Sequence, residues 1–261
     1  DREVFFEIPP LETESSTKVE HVYPTSSILP ENQLKLYLQF SASMSRGEAY
    51  ERIHLIDVET GEEVELPFLE LEQELWNRDF TRFTILFDPG RIKTGLIPNI
   101  EEGRAIKKGK IYSLVIDREW QDAKGRPLLT EYRKTFTGGP FDDVAPDIAN
   151  WKIVVPEWNT LTAFMVWFPE PLDRGLLDRL ITVVEAGGNS VHGRIEIDTD
   201  EKRWNFIPDV PWQAGDYELL VGTELEDLAG NTLSGLFEVD VFKFDDASVT
   251  EEESIPFTIQ P

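Results

Sequence analysis

Asp227-Leu228-Ala229-Gly230-Asn231, preceded by Glu224 and Glu226, is the stretch of this chain best equipped for chemistry. Closely spaced carboxylates are the raw material of a calcium site, because Ca²⁺ is a hard cation that takes oxygen ligands. That ion wants six to eight oxygens, and the carboxylates of Glu224, Glu226 and Asp227 do not supply them. The same residues also describe a tight turn. Gly230 or Asn231 adopts a positive φ at little cost, and an Asp side chain accepts from the turn's own amides. The spacing therefore predicts a hairpin connection, and no metal, cofactor or catalytic residue is assigned.

The rest of the sequence assembles no reactive set. Asp and Glu number 50 in 261 residues, so paired carboxylates occur everywhere and their pairing carries no information. His21, His54 and His192 lie far apart, and two methionines are too few for a copper-carrier cluster. No Gly-x-Ser-x-Gly elbow, His-Glu-x-x-His helix or phosphate loop is present. The absence of cysteine rules out a disulfide frame and a thiolate metal site. A net charge of −25 repels a phosphate backbone and an anionic membrane surface, so nucleic acid is not expected as a partner. No apolar run reaches the length of a membrane-spanning helix.

Two features are candidates for an interaction surface. One is basic: Arg91, Lys93, Arg104, Lys107, Lys108 and Lys110 cluster in an otherwise acidic chain. Such a cluster either offsets neighbouring carboxylates on a solvated loop or meets an anionic partner. The other is apolar. If Phe164, Val166 and Phe168 alternate into a core, Met165 and Trp167 face outward, and large outward apolar groups need a cover. Burial against the first half of the chain or the linker is the simpler cover; a protein or glycan partner is the alternative.

These residues sit on strands. Alternation dominates in Leu34–Phe40, Phe83–Phe87, Ile111–Ile116 and Tyr217–Val221, separated by Gly, Pro, Asn and Asp turns. The chain also repeats itself. Leu36-Tyr37-Leu38-Gln39-Phe40 with Met44, Arg46-Gly47 and Ile53 returns 128 residues later, as Phe164-Met165-Val166-Trp167-Phe168 with Leu172, Arg174-Gly175 and Ile181. Asp122-Ala123-Lys124-Gly125-Arg126 returns 105 residues later as the Asp227 turn, and Trp204 and Phe206 are matched to Ile85 and Phe87. The fall in offset implies about 23 extra residues in the first copy, an insertion long enough to be functional or to cover something. The expected organisation is an N-terminal extension over 1–27, a first domain over 28–139 with a long insertion (about 65–108), a linker over 140–149, a second domain over 150–243 and an acidic tail over 244–261.

In the second copy, Phe168-Pro169-Glu170-Pro171-Leu172, Trp204-Asn205-Phe206-Ile207-Pro208, Gly215-Asp216-Tyr217 and Asp227-Leu228-Ala229-Gly230-Asn231 together resemble the bacterial Ig-like domain of S-layer and other surface proteins. The first copy matches less fully, with Arg126 in place of the Asn. The resemblance covers roughly 28–137 and 150–243. It implies an all-β fold of two tandem Ig-like antiparallel β-sandwiches, with no catalytic residues to carry over. The expectation is a monomeric, non-catalytic structural or adhesion module. It would be exported to the bacterial surface or periplasm, with a lipid anchor as one form of attachment. A chain beginning on Asp1 rather than methionine fits a processed or truncated product. The alternatives are a carbohydrate- or ligand-binding module using exposed aromatics, and an accessory domain of a larger secreted hydrolase.

Overall fold

The structure is a computed structural model that describes residues 17–93, 96–237 and 252–261. Alternation does what it predicts. In β3 (Lys35–Phe40), Leu36, Leu38 and Phe40 are buried, and in β10 (Phe164–Trp167) Phe164 and Val166 are, because successive strand side chains point to opposite faces.

In the first half, β1 (Val19–Tyr23), β3, β6 (Arg82–Leu86) and β5 (Leu75–Trp76) form one antiparallel sheet in the order β1-β3-β6-β5. The facing sheet runs β2-β8-β7-β4, from β2 (Ile28–Leu29), β8 (Tyr132–Gly138), β7 (Ile111–Ile116) and β4 (Ile53–Asp57), with only β2–β8 parallel. The second half repeats the plan. One sheet, in the order β12-β13-β10-β9, is built from β9 (Lys152–Val154), β10, β12 (Gly193–Ile197) and β13 (Arg203–Pro208). The other, in the order β11-β14-β15, is built from β11 (Ile181–Glu185), β14 (Gly215–Gly222) and β15 (Glu252–Ile259). This four-plus-three arrangement is the Ig constant-type sandwich. The chain is all-β, two such sandwiches in tandem, each around its own core: Leu38, Phe83, Tyr112 and Trp120 in the first, Val166, Trp204, Tyr217 and Phe257 in the second.

Strand register corrects one sequence match. Leu38 pairs with Phe83, and its repeat mate Val166 pairs with Trp204. Trp204 therefore corresponds to Phe83, two residues from the expected Ile85. A slip of two leaves every side chain on its face, so the core assignment is unchanged. The expected boundaries shift at both ends. Residues 1–16 lie outside the described residues, but Val19–Tyr23 of the supposed extension is an edge strand paired with β3. Residues 244–251 likewise lie outside them, whereas Glu252–Ile259 of the supposed tail pairs along its whole length with β14 and supplies Phe257 and Ile259 to the second core.

Two short helices, α1 (Pro89–Ile92) and α2 (Ile97–Glu101), lie within the expected insertion, between β6 and β7. A third, α3 (Arg174–Leu177), follows β10 and is capped by Asp173, whose carboxylate accepts from the Leu176 N–H at 2.9 Å.

Candidate functional site

The chemically richest region is the joint between the two sandwiches. The outer face of β3 carries Lys35 and Tyr37, and the α3 end of the second sandwich docks on it. The Tyr37 hydroxyl donates to both Asp173 carboxylate oxygens at 2.9 Å. The Lys35 ammonium lies 2.7 Å from Glu226 and 3.2 Å from Asp173. Burial by itself would pull the Lys35 pKa down, but the two carboxylates more than offset that and hold it above the usual lysine range. Burial raises Glu226, against the pull of Lys35. Tyr37 is pushed far up, first by burial and then by Asp173, so its proton stays on the bridging oxygen. Gly175 makes this approach geometrically feasible, because a Cβ there would sit 2.9 Å from the Tyr37 ring and hydroxyl.

Beside this contact, fully buried Glu201 accepts from the Thr25 N–H at 2.9 and 3.0 Å and from its hydroxyl at 2.9 Å. The Asp227 turn closes the joint. The Leu34 N–H donates to the Leu228 carbonyl at 2.9 Å, and the Leu228 side chain packs into the first sandwich's core. Gly230 has φ +86° and would place a Cβ 2.5 Å from a Leu34 methyl, so both backbone and space demand glycine. Asn32 clamps the linker by exchanging two bonds with the Asp142 backbone at 2.7 and 2.9 Å.

The two repeat-related turns hold their aspartates in opposite states. Burial would raise Asp122, but Arg126 bonds it with two side-chain N–H groups at 2.7 and 3.0 Å, and with Thr17 and two backbone amides it holds the carboxyl at about 2. Asp227 accepts the same backbone bonds from Ala229 and Asn231, but its side-chain partner is neutral Asn231. Burial dominates there and lifts Asp227 to about 7. Arg126 in place of Asn231 and the Thr17 hydroxyl favour the charged form at Asp122, while burial and the neighbouring Asp142 favour the proton at Asp227.

Glu224, Glu226 and Asp227, the trio set aside as a calcium site, do not converge, since Glu226 turns to Lys35. A different trio does: carboxylate oxygens of Asp142, Glu170 and Asp227 lie within 4.8 Å of one another. Burial is the leading reason that all three are raised, Asp227 to about 7. No local sequence signal joins Asp142, Glu170 and Asp227; their meeting follows from the docking of the turn.

The four candidate surface residues fall on two separate elements, Met165 and Trp167 on β10 and Arg91 and Lys93 on α1 and its C-cap. Met165 is half-buried and Trp167 is 40 % exposed, both on the outer face as expected, with the Arg203 guanidinium 4.8 Å above the Trp167 ring. The expected cover over Trp167 by the first half or the linker is not found among the described residues; the covered outer-face residue is Tyr37, the repeat mate of Met165. Arg91 is a correction. It is 5 % exposed and is no surface group, because it donates to the carbonyls of Gly103, Glu65 and Leu66, pinning α1 to the 65–66 segment. Lys93 lies 4.4 Å above the Phe237 ring.

No family model matches this chain, and no curated protein sequence matches it. Among solved structures it is similar to the S-layer protein rSbsC, at 15 % identity and a TM-score of 0.32, over 78 % of this chain and 23 % of that one. The MG0-NIE-MG1 region of alpha-2-macroglobulin from Escherichia coli aligns at 11 % identity and a TM-score of 0.28, over 93 % and 71 %. The FN1–FN3 domains of chicken CNTN1 align at 10 % and 0.26, over 94 % and 67 %. These likenesses are low, and no function is taken from them. Among the described residues no helix is long and apolar enough to cross a membrane.

Proposed function

We propose that this chain is a non-catalytic structural module, a jointed pair of Ig-like sandwiches that acts as a spacer or adhesion element of an exported bacterial protein, at the surface or in the periplasm. One observation carries this reading: the second sandwich inserts Leu228 into the core of the first. Buried acids are the usual material of a hydrolytic site. Here Asp173, Glu201 and Glu226 are each engaged by a group of the other sandwich, so the joint uses them for rigidity. Joints between domains otherwise move by default.

The chain has no cysteine, so single pairs can be introduced for spin labelling, at exposed Thr60 and Asp209 for example. The expected distance distribution is narrow in the native chain and broad in Leu228→Ala. A broad native distribution, or turnover of any glycan or peptide substrate by the pure protein, refutes the reading.

A further inference from the structure

The internal joint has two halves, and the repeat places a second copy of each half elsewhere in the chain. The first half is the outer face of the first sandwich: Lys35, Tyr37 and, paired across β1–β3, Tyr23. Its mate on the second sandwich is Ala163, Met165 and, paired across β9–β10, Val154. The second half is the α3 end of the second sandwich: Asp173, Arg174, Gly175, Glu201 and Glu226. Its mate on the first sandwich is Ser45, Arg46, Gly47, Phe80 and Gln121.

Geometry certifies these equivalences. Asp173 N–H donates to the Glu226 carbonyl at 2.8 Å, as Ser45 N–H does to Gln121 at 3.0 Å. Leu172 N–H donates to Glu201 at 3.2 Å, as Met44 N–H does to Phe80 at 2.9 Å. Glu201 and Phe80 share an uncommon positive φ, +52° and +55°.

The substitutions are matched across the two halves. On the face, Lys35 becomes Ala163 and Tyr37 becomes Met165. On the end, its partners Asp173 and Glu226 become Ser45 and Gln121, and Glu201 becomes Phe80. Charge is removed from both sides together. Had only one side lost it, bringing the halves together would bury an unpaired ion. The face offers Val154 at 43 % and Trp167 at 40 % exposure. The end offers an open cavity of about 880 Å³ in which Phe80 and Trp76 lie beside Glu72, Gln73 and Glu74, with Arg46 stacked 4.7 Å over Phe80. A Cβ at Gly47 would meet nothing within 4 Å, whereas Gly175 is pressed on Tyr37.

We propose that the first sandwich's Ser45–Gly47 and Phe80 end docks on the Val154, Met165 and Trp167 face of a second copy of this chain, a repeat of the internal joint without its ion pairs. The contact is heterologous, so each copy in a pair keeps one free end or one free face and association runs past a dimer, to a filament or a closed ring, in place of the expected monomer. This deepens the structural reading: a spacer that repeats its own joint between molecules.

Sedimentation of the full chain over a concentration series tests it. The native chain is expected to grow past a dimer. Trp167→Asp breaks the face, and Phe80→Asp breaks the end while keeping a residue type that tolerates positive φ. Each alone is expected to weaken association roughly tenfold or more, the scale of losing a buried aromatic anchor. Mixed in equal amounts they are expected to form a dimer and stop, since one sound half remains on each. Should either variant melt early, Ala163→Lys with Ser45→Asp restores the internal ion pair in trans: each single change weakens association and the pair regains it. A native chain that stays monomeric at its highest soluble concentration, growth indifferent to both variants, or a mixture that does not pair overturns the proposal. A monomeric chain with a narrow spin-label distance would leave the structural reading standing.

Discussion

Asp227→Asn should flatten the loss of stability that the protein suffers as pH rises into the slightly alkaline range. Asp227 is 1 % exposed, and its carboxyl is lifted from 3.8 to about 7. A group whose folded pKa is raised contributes stability that is fully present below its unfolded value and is lost as pH rises through the folded value. The window therefore runs from about pH 4 to pH 8. The shift of roughly three units corresponds to about 4 kcal/mol at about 1.4 kcal/mol per unit. That is a ceiling, because Asp142 and Glu170 share the site and the three titrate together. Asn keeps the size and an accepting oxygen for the Ala229 and Asn231 backbone amides and cannot ionise; it gives up the bond from the Asn231 side-chain amide, a loss that does not depend on pH. Urea unfolding at half-unit pH steps is the assay. The native midpoint should fall between pH 4 and pH 8, and the variant's slope should be visibly flatter. A native midpoint that climbs across this window, or equal slopes in both proteins, would refute the assignment of a buried, proton-holding Asp227.

Arg126→Gln should act in the opposite sense on the sister turn. Asp122 sits at about 2, so its contribution is present above 3.8 and lost as pH falls through 2. Removing the guanidinium should raise the pH at which acid unfolding begins; an unchanged acid midpoint would show that Thr17 and the amides suffice. Trp204→Ala should cost roughly 3–5 kcal/mol, since the ring is fully buried and its N–H donates to the Leu177 carbonyl at 3.1 Å. An unaltered melting temperature would mean the faces of β13 are misread.

Strand faces were legible because alternation is a local property. Phe164 in and Trp167 out follows from two-residue periodicity alone, and it survived even a two-residue error in matching Trp204. Arg91 was misread for the complementary reason. Its burial depends on carbonyls of Glu65 and Leu66, 26 and 25 residues away, and no spacing rule connects them. Tyr37 went unnoticed as a docking residue because an outward Tyr on a strand is unremarkable until Gly175 lies against it. The sequence clue available was the pairing of a lysine at position 35 with an alanine at its repeat mate, 163.

By itself, the order of residues determined an all-β duplication, the inward face of each main strand and the position of the Asp227 turn. Period, turn chemistry and repeat offsets act over a few residues and need no knowledge of the rest of the chain. Only the tertiary structure decided which carboxylates meet which cations. Tyr37 reaches Asp173 across 136 residues and Lys35 reaches Glu226 across 191, so those contacts depend on how two finished sandwiches pack. The twin turns show the division most clearly: one motif, written twice, carries an ionised aspartate where arginine bonds it and a proton-holding one where burial prevails.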